Sequence, residues 1–443
     1  MKIHIKKGLD LPIAGAVTTS EVRIVPAAEV AVVPDDYPGF QPKIDVAEGD
    51  VVKMGDALMH DKRFPEVKLV SPVAGKVTAV ERGERRRLLK VVVEAAGDDF
   101  KKFDLTRNTA EERIALLAES GMLALMRQRP YDVVPAPDAL PRDIFVTAIF
   151  SAPLELETGR RIVADDKALL ELAVGFLAQI TPGKVYLSHR PSWTLGPVKG
   201  AVMVETDGPH PAGNAGVQAA NIAPVNKGET VWTLDVETLR RIGHLLRHGK
   251  VDPRATVAVC GPAVEKPYVA STIVGAPVDA LLKGVTMRDS KHHRIVSGNV
   301  LSGHVVAENA YLRYPYRMIT VLDEGDDVDE FMGWASMSPS KMSVSRTFPG
   351  HFLKRLFRPD ARLLGGRRAM IMSGEYDSVM PMDVMPEYLL KAIIARDIEN
   401  MEKLGIYEVA PEDFALAEYV DTSKIPLQHI VREGLDYLRK ELE

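Results

Sequence analysis

The sequence predicts a multidomain α/β protein with β-rich modules. Three observations predict it: short alternating apolar runs separated by Gly and Pro turns up to residue 103, a strand and helix alternation from residue 143, and amphipathic helical patterns toward the C-terminus. At 443 residues the chain has room for about three domains. A hydrophobic content of 46% and a charged content of 26% are those of a soluble globular protein, and a net charge of -5 gives no electrostatic case for nucleic acid. The longest apolar run, ALLELAVGFLAQI (168–180), carries Glu171 and is too short to span a bilayer. The opening MKIHIKKGLDLPIAG alternates like a strand and lacks the apolar core of a signal peptide, so a cytosolic location is expected. The single Cys260 agrees with that location. It also excludes an intramolecular disulfide, a four-thiolate iron-sulfur cluster and a cysteine-based zinc site.

Residues 1–103 are expected to form a small barrel. In EGDVVKMGDALMHDKRF (48–64), Gly49-Asp50 and Gly55-Asp56 are turn dipeptides around Val51-Val52. In VKLVSPVAGKVTAVERGERRRLLKVVVE (67–94), Ser71-Pro72 and Gly75 open one run and Arg82-Gly83-Glu84 turns into the next. The spacing resembles the biotinyl/lipoyl carrier domain, whose modified lysine sits seven residues before the Ser-Pro-x-x-Gly corner. That position here is Phe64, which has no amine to acylate, and Pro65 beside it removes a backbone donor. Lys62 and Lys68 are out of register, so a barrel without a modified lysine is expected. The cluster Arg82, Arg85, Arg86 and Arg87 reads as a solvated hairpin, with a docking patch as the alternative.

Residues 104–142 are expected to be a helical segment, with Ile114, Leu117, Leu123 and Leu125 on one face and a break at Ser120-Gly121. The Pro-rich linker PYDVVPAPDALPRD then follows. From 143 to 262, DIFVTAIF, KVYLSH, GAVMVET and ATVAVC read as strands, while ADDKALLELAVGFLAQI and DVETLRRIGHLLRHG read as helices. That order is Rossmann-like. Residues 263–328, with VASTIVGAPVDALLK, HRIVSGNVLSGHVV and YRMITVLDEG, suggest a β-grasp-like (SLBB-type) domain. Residues 329–443 are a Met-rich segment followed by a C-terminal helical domain, clearest in EYLLKAIIARDIENMEKLG and IPLQHIVREGLDYLRKELE.

The loop TDGPHPAGNAG (206–216) holds the most chemistry. Gly208, Gly213 and Gly216 would let backbone amides approach a phosphate or an aromatic ring, and His210 could donate to it. The loop is not G-x-G-x-x-G and follows the third strand rather than the first, so a rigid loop at a domain interface is the competing reading. His244 and His248 have metal-pair spacing, but Arg240, Arg241 and Arg247 surround them, and two solvated histidines at a helix C-terminus are the simpler reading. His292 and His293 are adjacent and point apart, and Asp326 and Asp327 fall in a turn. The methionines 332, 337, 342, 370, 372, 380, 382 and 385 suit an adaptable apolar surface or ordinary core filling.

The segments KIHIKKGLDLPIAG, SPVAGKV, DGPHPAG, VSGNVLSG and YDSVMPMD occur in this order, and together they resemble the large peripheral subunit of the sodium-translocating NADH:quinone reductase over the whole chain. The domain order is also similar to the C subunit of Rnf-type complexes, and in part to the flavin-carrying subunit of respiratory complex I. The resemblance implies a location on the cytoplasmic face of the bacterial inner membrane, within a complex that oxidises NADH, reduces ubiquinone and exports sodium. NADH, flavin and iron-sulfur centres would belong to membrane and flavin-bearing partner subunits, with no cofactor on this chain. Ubiquinone would be the complex's substrate, with Gly208, His210, Gly213 and Gly216 as its candidate contacts here. Relatives carry a Cys-Thr-Phe-Val-Cys-Pro-like run where this chain has ALAEYVDTSK (415–424), with Ala417 and Asp421 at the cysteine places. Those cysteines are therefore not essential to this chain. The alternative is a soluble nucleotide- or flavin-binding module of an Rnf-type or complex I-type NADH dehydrogenase.

Overall fold

The computed structural model describes residues 1–326, 338–344 and 348–442, apart from the Arg160 side chain. Its barrel is built from two antiparallel sheets. One orders Glu29–Val32, Leu88–Ala95, Gly75–Arg82 and Val51–Val52, and the other Pro42–Ile44, Ala57–Asp61 and Lys68–Val70. Alternation turns Val30, Val77, Val91 and Val93 inward onto Leu58, Met59 and Leu69, all buried in one core. Phe64 is half-buried against that core, with the Arg63 guanidinium 5.6 Å above its ring, while Lys62 is exposed. The arginine-rich hairpin at 84–87 is exposed.

Two short strands from the first 28 residues lie outside the barrel. Lys2–His4 pairs in parallel with Val202–Asp207, and Val22–Ile24 pairs in parallel with Tyr268–Ile273. The expected 1–103 unit thus contributes a strand to each of the two large sheets beyond it.

Helix Ala110–Glu119 begins at a reciprocal cap, in which Thr109 accepts the Glu112 amide and Glu112 accepts the Thr109 amide, both at 3.2 Å. It is shorter than the expected helical span, and Gly121 follows it with φ +76. The Pro-rich run, expected to be an extended linker, instead opens in a turn: Tyr131 and Asp132 have φ +81 and +51, and Val133 bridges back to Gln128. Arg127–Arg129 adds an antiparallel edge to Val231–Asp235, and Tyr131, Val133 and Val134 are buried, because this run carries enough apolar surface to form a seam.

The α/β sheet orders Lys2–His4, Val202–Asp207, Val185–His189, Ile144–Thr147, Val231–Asp235 and Arg127–Arg129, parallel except at the last edge. Its central strand is apolar at Ile144, Phe145 and Val146 because both faces are covered. Helices Lys167–Leu177 and Val236–His248 pack together over it, the second capped by Asp235, which accepts the Thr238 amide at 2.6 Å.

ATVAVC, expected to belong to this sheet, lies instead at the centre of the next one. Arg254–Cys260 pairs antiparallel with Tyr268–Ile273 and parallel with Met318–Asp323, and His293–Ser297 and His304–Val306 complete that edge. A fully apolar strand fits the middle of either sheet, and its own pattern does not distinguish them. Helix Val278–Leu282 closes this unit over Val257, Val259, Ile319 and Val321.

The C-terminal bundle comprises Glu375–Val379, Pro386–Ala395, Ile398–Lys403, Ala415–Val420 and Leu427–Leu442. Leu427, Val431, Leu435 and Leu438 recur at helical spacing and bury against Leu389, Ile393 and Phe414. Ile5, Tyr131, Ala212 and Val217 share this core, so the bundle is seated on the first strand, the seam and the loop at 206–216.

Candidate functional site

Gly208 has φ +127 and lies against the Ile5 backbone, where a Cβ would fall 2.2 Å from the carbonyl oxygen. His210 is buried, its amide donating to Asp10 Oδ1 at 2.9 Å. Burial lowers its imidazole to about 4, so the ring is neutral at physiological pH. The Ser151 hydroxyl accepts the Gly213 amide at 2.9 Å and lies within hydrogen-bonding distance of His210 Nδ1, at 3.0 Å. Gly216, in the first turn of Ala215–Ile222, leaves room for the Arg129 guanidinium, 2.5 Å from where a Cβ would stand. The structure thus brings the predicted residues together as a joint between the first strand, residues 149–151 and the bundle, and the glycine faces are occupied by protein. This geometry supports the interface reading of the loop.

A larger opening lies on the bundle. A groove of about 700 Å³ runs between residues 300–301, 342–344, 348, 362–368 and 415–428. Val344, Leu363, Leu364, Ile425 and Pro426 supply its apolar walls, and Arg367, Arg368, Lys424 and Tyr419 its polar groups. Burial pushes the Tyr419 phenol up to about 12, so it remains a donor. Gln428 Nε2 donates to the Leu301 carbonyl at 3.0 Å and the Arg368 amide to the Ser423 carbonyl at 2.8 Å, fixing the two walls. His210 does not line it, whereas Met342 does. Beside the groove Phe352, Leu356, Leu363 and Ile371 are exposed among Lys354, Arg355, Arg358, Arg367 and Arg368, with Asp360 the one acidic residue of 352–371.

The other singled-out residues have mixed fates. Met380 and Met382 fill the bundle core, Met370 is half-buried, Met372 and Met385 are exposed, and Met332, Met337 and Asp327 lie outside the described residues. The His244 and His248 rings lie 4.4 Å apart between centres, tilted by 44°, and Nδ1 of His244 lies 3.2 Å from the Lys250 carbonyl. His292 pairs with Asp326 at 2.7 Å. His293 meets Asp289 and Asp323 with ligand atoms within 4.8 Å of one another, and Lys291 also approaches Asp323, so ion pairing accounts for the group. No short-range pattern announced it, since Asp323 arrives from the neighbouring strand. Sequence reasoning also missed Arg129, buried against Asp413 from the far end of the chain.

Comparisons with known proteins agree along the chain. Residues 3–96 match the family model described as the NqrA N-terminal barrel-sandwich hybrid domain, residues 108–251 that of the NqrA second alpha/beta domain, and residues 256–308 that of the NQRA C-terminal domain. The chain is 39% identical over 452 residues to the NqrA subunit of the Na(+)-translocating NADH-quinone reductase of Serratia proteamaculans, covering 99% of this chain and 100% of that protein. It is 37% identical over 453 residues to the corresponding subunit from Hahella chejuensis, with the same coverage. An NAD+-reducing [NiFe]-hydrogenase structure shares 11% identity over 76% of this chain and 62% of its own, at a TM-score of 0.37.

Proposed function

Because the chain belongs to the family of NqrA subunits of the Na(+)-translocating NADH-quinone reductases, we propose that it is the peripheral subunit that contributes the quinone-binding surface of that complex. In this reading the complex couples NADH oxidation and ubiquinone reduction to sodium export. Redox centres reside in partner subunits, this chain sits on the cytoplasmic face of the membrane, and its attachment runs through those partners. Among the described residues no helix is long and apolar enough to cross a membrane. The basic, apolar stretch at 352–371 is the surface this reading offers the partners.

The observation that carries the reading is the groove on the bundle. A quinone needs a donor at a carbonyl and an apolar path for its tail. Tyr419 supplies the first, and Val344, Leu363 and Leu364 the second, next to exposed apolar residues where a tail could continue into a partner. The test uses the complex assembled in membranes. Tyr419→Phe should weaken quinone affinity about tenfold, the loss of one hydrogen bond, and leave NADH oxidation with an artificial acceptor unchanged. His210→Ala is the comparison arm: a loss of quinone affinity there and not at Tyr419 would place the headgroup at the glycine loop. Capture of the tagged chain from solubilised membranes should bring the quinone reductase subunits with it, and their absence would overturn the assembly.

A further inference from the structure

Where the barrel, the α/β sheet and the third sheet meet lies a cavity of about 90 Å³, lined by Tyr37, Met122, Leu125, Arg241, Leu312 and Tyr314 among others. Arg241 comes from helix Val236–His248 and is 2% exposed. Its Nη2 donates to the Arg254 carbonyl at 2.8 Å, and its Nε is buried with no hydrogen-bond partner among the described residues.

The carboxylates around it are already engaged. Asp235 and Glu237 face Arg317 at 2.9 and 3.0 Å, and Glu237 also faces Arg161 at 3.0 Å. Asp252 faces Arg240 at 2.6 Å and Arg254 at 2.8 Å, and Asp36 faces Arg313 at 2.5 Å. Arg241 makes none of these ion pairs, and Glu237 and Asp235 act on it only at longer range. Burial and the nearby Arg317 lower its guanidinium to about 10, which still leaves it charged at neutral pH. A buried charge without a counterion is strongly disfavoured unless something in the adjoining space neutralises it. Of the other donors on the wall, the Ser71, Tyr314 and Tyr316 hydroxyls donate to backbone carbonyls and Arg313 and Arg317 are ion-paired, while Tyr37 stacks its ring on Tyr314 at 5.2 Å and 6°. Burial beside Asp36 holds its phenol proton well above the usual range.

We propose that this cavity is a binding site for a small oxyanion, a carboxylate or a phosphate, held by the Arg241 guanidinium with the Tyr37 hydroxyl as second donor. Its lining comes from three structural units, so an occupied site ties them together and stabilises the folded chain by mass action. The proposal is independent of where quinone binds, because neither Arg241 nor Tyr37 lines the groove on the bundle.

The test is thermal unfolding and calorimetric titration of the full chain, exchanged into buffer free of oxyanions. Inorganic phosphate and acetate are added separately, each against sodium chloride of equal ionic strength. A saturable rise in Tm with phosphate alone assigns the site to phosphate, and with acetate alone or with both to a carboxylate-accepting site. Tyr37→Phe keeps the stacked ring and should weaken the binding about tenfold. Arg241→Met should abolish the response while unfolding no earlier than the parent in oxyanion-free buffer. If that variant does not fold, Tyr37→Phe carries the test. No response beyond that of chloride, or a response unchanged in the Tyr37→Phe variant, overturns the proposal.

Discussion

Arg129 Nη1 and Asp413 Oδ2 meet at 3.0 Å, the guanidinium 1% exposed and the carboxylate fully buried, joining the α/β sheet to the C-terminal bundle. The same nitrogen donates to the Glu408 carbonyl at 2.7 Å, and Asp413 accepts the Ala410 amide at 2.9 Å. Arg129→Ala strands the carboxylate, and breaking one side of a buried pair costs about 3–5 kcal/mol. Urea unfolding should show an earlier midpoint, or an earlier separate transition of the bundle. An unchanged curve would mean that water replaces the guanidinium without loss.

Gly216 and Arg129 should be coupled. A methyl at Gly216 meets the guanidinium at 2.5 Å, so Gly216→Ala should destabilise the parent by about 1–3 kcal/mol, in the range of overpacking. In an Arg129→Ala background the same change should cost far less, and additive costs in a double-mutant cycle would contradict the contact.

His210 sets a pH dependence of known sign. Its folded value of about 4 lies below the ordinary 6.5, so the unfolded chain takes up the proton first as pH falls. The contribution is fully present above about pH 6.5 and is lost on going down toward pH 4, about 3 kcal/mol in all at roughly 1.36 kcal/mol per unit. Tm measured from pH 7.5 to 4 should fall more steeply in the parent than in His210→Gln, and parallel curves would show that the ring is hydrated.

Cys260 should be silent in the folded chain. It is fully buried and burial pushes its thiol up to about 12, with Thr320 Oγ1 at 3.9 Å as its polar neighbour. Iodoacetamide at pH 8 should label it only after denaturation, and labelling at native conditions would mean that the strand Arg254–Cys260 opens readily.

The barrel was legible because its alternation and turns are local, and Phe64 at the hairpin tip was found by counting alone. The helices Pro386–Ala395 and Leu427–Leu442 were legible for the same reason, a periodicity contained within each. ATVAVC was not placed correctly, since a continuous apolar strand carries no mark of the sheet that receives it. The loop at 206–216 was recognised as special for its glycines, but what fills the space they leave, Ile5, Ser151 and Arg129, comes from elsewhere in the chain. The groove at Tyr419 escaped notice because its walls come from three separated segments, and the unmatched Arg241 because its isolation depends on five other arginines claiming the carboxylates.

The strands Lys2–His4 and Val22–Ile24 bear on how the molecule is made. Each leaves the ribosome long before the partner it joins, Val202–Asp207 for the first and Tyr268–Ile273 for the second. The barrel strands between Glu29 and Ala95 find one another within their own stretch and can settle while those two segments are still waiting. Both waiting segments are short, and Lys2 and Arg23 place charge on them, which discourages pairing with a neighbouring nascent chain. Each can complete its sheet only once that distant partner has been made, so both pairings close the longest loops of their sheets.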